Sequence, residues 1–108
     1  MQKKGLLIVM ARVKPEEEEA FNKWYNEDHL PKAVARFPGV LTGRRYKILE
    51  GDQEYQYLAI YEFESYEKAH ATVHSDIFQE LVQEYDDTFG KGGRKRILAE
   101  ELKVLMVA

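Results

Sequence analysis

The stretch Tyr55-Gln56-Tyr57-Leu58-Ala59-Ile60-Tyr61-Glu62-Phe63 is aliphatic or aromatic at nearly every position. Its odd positions are Tyr55, Tyr57, Ala59, Tyr61 and Phe63, and its even positions include Leu58 and Ile60. Side chains of a strand alternate between two faces, so this strand is largely apolar on both. Gly5 to Val13 reads the same way, with Leu6 to Ala11 unbroken by any charge. Two strands of this kind need cover on both sides of the sheet they enter.

The flanking segments supply the other elements. Gly51-Asp52 marks a turn, and Val40 to Leu49 before it is a strand. Pro15 suits a first helical turn, and Glu16 to Glu19 sit at the positive end of the helix dipole. Ala20, Phe21 and Trp24 form the core stripe of that helix. Pro31 removes the hydrogen bond to the Glu27 carbonyl, which predicts a kink or break near His29 to Pro31. A short second segment carries Val34 and Phe37 to Pro38-Gly39. Ser65 is a candidate N-cap. After it Ala69, Val73, Ile77, Leu81, Tyr85 and Phe89 follow at four-residue steps. Each step drifts about 40° around an α-helix, so this helix curves or breaks, with Ser75-Asp76 as a second N-cap. Gly90 ends it. Ile97 to Val107 holds the last strand, Leu102, Val104 and Met106 alternating with Lys103, Leu105 and Val107.

The order is β-α-β-β-α-β over residues 1–108, one α+β domain of ferredoxin-like topology with a four-stranded antiparallel sheet. The first and third strands are central, and both helices cover one face. A second copy of the chain is the simplest cover for the other, giving a homodimeric α/β barrel.

With 108 residues, 44% hydrophobic and 32% charged, the chain reads as globular. A net charge of −3 argues against nucleic acid as a partner. The absence of cysteine excludes disulfides, zinc-thiolate sites and thiol nucleophiles. The N-terminal apolar run is too short to span a membrane and lacks a cleavage site, so a cytoplasmic protein is expected. No Rossmann fingerprint, P-loop, haem-attachment motif or Ser-His-Asp order is present, and no cofactor is expected.

Phe21-Asn22-Lys23-Trp24-Tyr25-Asn26-Glu27-Asp28-His29-Leu30-Pro31, then Phe37-Pro38-Gly39-Val40 and Arg44-Arg45-Tyr46, resembles the dimeric α/β-barrel superfamily. Within it the stretch is most similar to small EthD-like proteins, named for ethyl tert-butyl ether degradation. The resemblance covers the whole chain in layout, with its specific residues between Phe21 and Tyr46. It implies a pocket in each subunit between sheet and helices. Activities in the superfamily are mixed: polyketide cyclases, dehydratases, cofactor-free monooxygenases, lactone isomerases and haem-degrading enzymes. Fold therefore does not settle function. The EthD-like histidine carries over to His29.

His29 shares a four-residue row with Phe21 and Tyr25. A histidine there can titrate near neutral pH as general acid or base, or it can cap backbone groups freed at the break. His70 and His74 are spaced to face one metal, but the metalloprotease glutamate is absent; His74 is the better pocket candidate. Tyr46, Tyr57 and Tyr61 could position an aromatic substrate, or pack in the core or dimer. Trp24 is a core anchor or an apolar pocket wall. Arg44 and Arg45 face opposite sides of their strand, and one could hold a carboxylate. Gly90 to Arg96 is a basic, glycine-rich loop that could lie over a pocket or meet an anion. Two functions follow. One is a small enzyme moving protons on an aromatic or polyketide-like compound, with His29 as acid/base. The other is a non-catalytic binding or stress-related accessory protein. Haem handling, by analogy to other barrel members, ranks third.

Overall fold

The computed structural model describes residues 3–108. Its elements are β1 (Gly5–Ala11), a 3₁₀ turn (Pro15–Glu17), α1 (Glu18–Trp24), a π turn (Tyr25–His29), α2 (Leu30–Arg36), β2 (Val40–Lys47), β3 (Tyr57–Phe63), α3 (Tyr66–Val73), α4 (Asp76–Phe89) and β4 (Arg94–Glu100). The sheet order is β2-β3-β1-β4, antiparallel throughout. This is the ferredoxin-like α+β fold, and no helix among the described residues is long and apolar enough to cross a membrane.

Strand alternation divides the sheet as the sequence requires. Tyr57, Ala59, Tyr61 and Phe63 of β3 are buried, as are Leu7 and Ala11 of β1, and they form the core beneath the helices. Leu6, Ile8 and Met10 of β1 and Leu58 and Ile60 of β3 occupy the opposite face and stay partly exposed. Ile97 of β4 lies on that face opposite Ile8 and is 40% exposed.

The two serine caps form where expected. Ser65 Oγ accepts from the Lys68 N–H at 3.2 Å, and Ser75 Oγ accepts from the Phe78 N–H at 3.3 Å. The interruption between α3 and α4 resets the drifting row, so Phe78 joins Leu81 and Tyr85 in the core.

Several boundaries differ from the sequence reading. Residues 12 and 13 lie beyond the β1 ladder, and β2 stops at Lys47. β3 begins at Tyr57, because Asp52 Oδ1 accepts from the N–H groups of Glu54 and Tyr55 and curls the chain into a turn. The last strand is Arg94–Glu100 instead of Ile97 to Val107. Its partner β1 begins at Gly5, which pairs Glu100; Glu101 donates one further bond to the Lys4 carbonyl. Beyond that the tail has no strand to join among the described residues. Leu102, Leu105, Met106 and Val107 are largely exposed. Of the kink or break expected near His29 to Pro31, the break does not occur: a π turn carries the helix into α2.

Gly5 marks a close approach between β1 and the start of α3. A Cβ there would fall 2.5 Å from Tyr66 Cα and 2.7 Å from the Ser65 carbonyl oxygen. Both are backbone atoms and cannot rotate away. Gly5→Ala is expected to cost about 1–3 kcal/mol by urea unfolding; a loss within about 0.5 kcal/mol would show that the helix is free to shift.

Candidate functional site

Pro31 lacks an N–H, and inside an α-helix its ring would press on the Glu27 carbonyl. The chain answers with one wide turn: the Leu30 N–H bonds to the Tyr25 carbonyl, five residues back. Helical dihedrals continue through His29 and Leu30. A wider turn also takes up part of the drift of a four-residue row. Phe21, Tyr25, His29, Ala33 and Phe37 therefore all remain on the buried side.

His29 is thereby held under the helices, not displayed at a helix end. It is 9% exposed and stacks on Trp24, with centroids 4.7 Å apart and planes 23° from parallel. Tyr25 meets its edge at 4.8 Å. Its Nδ1 is buried with no hydrogen-bond partner. Burial lowers the His29 pKa from 6.5 to about 4, partly opposed by the charges of Glu84 and Asp28. At neutral pH the ring is therefore uncharged, unlike the near-neutral titration expected from sequence.

His29 lines a cavity of about 450 Å³ between the sheet and the helices. Tyr25, Phe37, Tyr61 and Phe78 supply aromatic wall, and Val9, Leu81 and Val82 aliphatic wall. Tyr25 Oη and Tyr61 Oη lie 3.2 Å apart and buried. Tyr85 also lines the cavity, with a buried, unpartnered Oη. Burial raises all three phenols, Tyr85 to about 12, so they remain protonated. Arg94 and Arg96 line the cavity from β4. Arg94 donates to Asp86 and lies over the Tyr85 ring, its Cζ 4.5 Å from the centroid.

Of the residues singled out from sequence, His29 and Tyr61 meet in this cavity. Trp24 backs His29 without lining it. Tyr57 faces the helices but is turned toward α1, donating to Glu18 and accepting from Asn22. Tyr46 is 46% exposed on the opposite sheet face. His74 lies at the α3–α4 junction, its ring 4.5 Å from that of His70 and away from the cavity. Among the described residues no three His, Asp or Glu side chains gather as a metal site would require. Arg45 bonds the Oδ1 atoms of Asn22 and Asn26 and covers the Tyr25 ring at 4.4 Å.

Sequence reasoning missed Tyr85 as a cavity residue. It placed Arg94 and Arg96 only within the basic stretch Gly90 to Arg96 that could lie over a pocket or meet an anion, and Gly92, Arg94 and Arg96 of that stretch do line the cavity. Tyr85 reads as one more member of a core row. The two arginines fall in a stretch that reads as loop; their spacing of two, once the strand is known to start at Arg94, puts both on the helix-facing side.

Residues 4–89 match the family described as Domain of unknown function (DUF1330). No curated protein matches the chain. Among solved structures, an EthD-family protein from Bacillus halodurans is similar at 17% identity and a TM-score of 0.70, over 94% of this chain and 100% of that one. HapK from Hahella chejuensis is similar at 16% identity and a TM-score of 0.69, over 96% and 98%. A dimeric ferredoxin-like protein of unknown function from Jannaschia sp. CCS1 is similar at 15% identity and a TM-score of 0.65, over 91% and 99%. At these identities the likeness is one of fold.

The lowered His29 pKa has a sign in stability. Unfolded chain takes up the proton near pH 6.5, and folded chain only near 4. Stability from this group is complete above about pH 6.5 and is lost as pH falls toward 4, amounting to about 3 kcal/mol. The pH dependence of unfolding free energy in His29→Gln should lack this part over that window; parallel curves for the variant and the parent protein would contradict the burial of His29.

Proposed function

Because the chain belongs to the DUF1330 family, a domain of unknown function, we propose its activity from the cavity itself: a homodimeric enzyme that moves protons on an aromatic or polyketide-like small molecule, in the manner of a cyclase, dehydratase or cofactor-free monooxygenase. The observation that carries this reading is the convergence of an uncharged imidazole, three protonated phenols and two guanidiniums on one aromatic-walled cavity of ligand size. The uncharged His29 ring accepts a proton from carbon beside a carbonyl. The Tyr25–Tyr61 pair donates toward the oxygen on which the enolate charge grows. A negative charge forming beside His29 favours its protonated form, so the base strengthens as the proton moves.

A non-catalytic binding or accessory role is the second reading. It is favoured by one observation: a pKa near 4 is a poor match to proton transfer at pH 7. Deuterium exchange at the α-carbon of 2-tetralone separates the two. The enzyme reading expects exchange above the buffer rate, falling about 100-fold in His29→Gln while the ketone still binds. Binding without exchange in the unaltered protein selects the accessory role.

Homodimerisation is supported by the apolar open face of the sheet, the exposed apolar tail and the dimeric state of the Jannaschia protein. Native mass spectrometry should show the mass of two chains, and Ile8→Glu in the centre of that face should reduce it to one. A single-chain mass for the unaltered protein at micromolar concentration removes the dimer from this reading.

A further inference from the structure

We infer that the ligand is an aromatic acid whose carboxylate is held by Arg96, an inference that rests on the small-molecule cavity proposed above. The cavity lining contains two guanidiniums and no carboxylate. Arg94 is balanced by Asp86, in a pair whose side chains are 23% and 11% exposed. Arg96 has no ion pair among the described residues; its guanidinium lies over the Phe78 ring, the Cζ atom 5.1 Å from the centroid. Counting Asp86, the lining therefore carries one positive charge without an ion pair among the described residues, on an exposed side chain lying against an aromatic wall.

A monoanion matches that charge. A carboxylate matches the guanidinium fork through two parallel hydrogen bonds. The remaining wall is made for a flat apolar body, since Tyr25, Phe37, Tyr61 and Phe78 are close enough to offer edges and faces. Two further polar atoms belong to the residues of this wall, His29 Nδ1 and Tyr85 Oη, and the protein gives neither a partner. Buried polar atoms without partners are uncommon. Of the three side-chain atoms of this kind among the described residues, these two belong to residues lining this cavity, and the third, Glu84 Oε2, does not. Arg45 does not compete for this role. It lies outside the lining, two of its donors bond Asn22 and Asn26, and its guanidinium lies over the rings of Phe21, Tyr25 and Tyr57.

The register of β4 explains the placement. Arg96 pairs Val9 and Arg94 pairs Ala11, and both strand positions face the helices. Lys95 between them faces the other side of the sheet, so it does not serve the cavity.

The test is a pair of probes of equal shape, 2-naphthoate and 2-naphthamide, titrated by calorimetry and by the imidazole resonances of His29. Naphthoate should bind roughly tenfold or more tightly than the amide, the value of one charge-assisted pair. Arg96→Gln should erase that preference, and Arg96→Lys should restore part of it, because it keeps the charge without the fork. Arg96 is exposed, so thermal melting should be unchanged in both variants. Equal binding of acid and amide, with the His29 resonances shifted by both, overturns the acid inference and leaves the cavity reading standing. A preference that survives in Arg96→Gln overturns Arg96 as the anion holder. If neither probe binds nor moves the His29 resonances, the inference and the cavity reading fall together.

Discussion

A proline in the middle of a helix takes away one hydrogen bond and presses its ring against a carbonyl, and the site depends on how the chain around Pro31 absorbs that loss. A break would have released His29 into a loop. The π turn over Tyr25–His29 instead keeps the chain helical and holds Phe21, Tyr25, His29, Ala33 and Phe37 on one buried row. The row places an imidazole between Trp24 and Tyr25 at the wall of a cavity. One backbone constraint thus decides where the titratable group is and how little water reaches it.

Low hydration then sets the chemistry available. It removes the charge from His29 and keeps the protons on Tyr25, Tyr61 and Tyr85. The charge left beside the cavity comes from arginines, which burial does not readily neutralise. Neutral donors and acceptors beside one guanidinium without an ion pair among the described residues suit a ligand that is negative or becomes negative during reaction. The aromatic lining adds shape without adding charge.

The sheet carries the opposite problem. Its helix-facing side is closed by Phe21, Phe63, Leu7 and Leu81, all essentially without exposure. Its other side offers Leu6, Ile8, Leu58 and Ile60 to the surroundings, and the tail beyond Glu100 continues with exposed leucine, methionine and valine. The hydrophobic effect acts on both faces alike, but the chain has helices for only one.

Much of this was legible residue by residue. The two-faced apolar strands, the serine caps at Ser65 and Ser75 and the β-α-β-β-α-β order follow from local alternation, capping chemistry and turn residues, and these are written in neighbouring positions. His29 and Tyr61 could be picked out as candidates, but their meeting could not, since they lie on different elements. Tyr46, Tyr57 and His74 were as good on composition, and only strand parity and helix direction send them elsewhere. The end of β4 was invisible in its own alternating residues, because a strand ends where its partner ends, and that partner is near the other end of the chain. Local residue pattern sets the number and order of the elements and the two-sided demand for burial. The continuous helix through Pro31 rests on a local π turn that shows only in the folded backbone, whereas the neutrality of His29 and the alignment of Arg94 and Arg96 on the cavity came from the tertiary structure, because they depend on contacts and solvent exclusion between segments far apart in the chain.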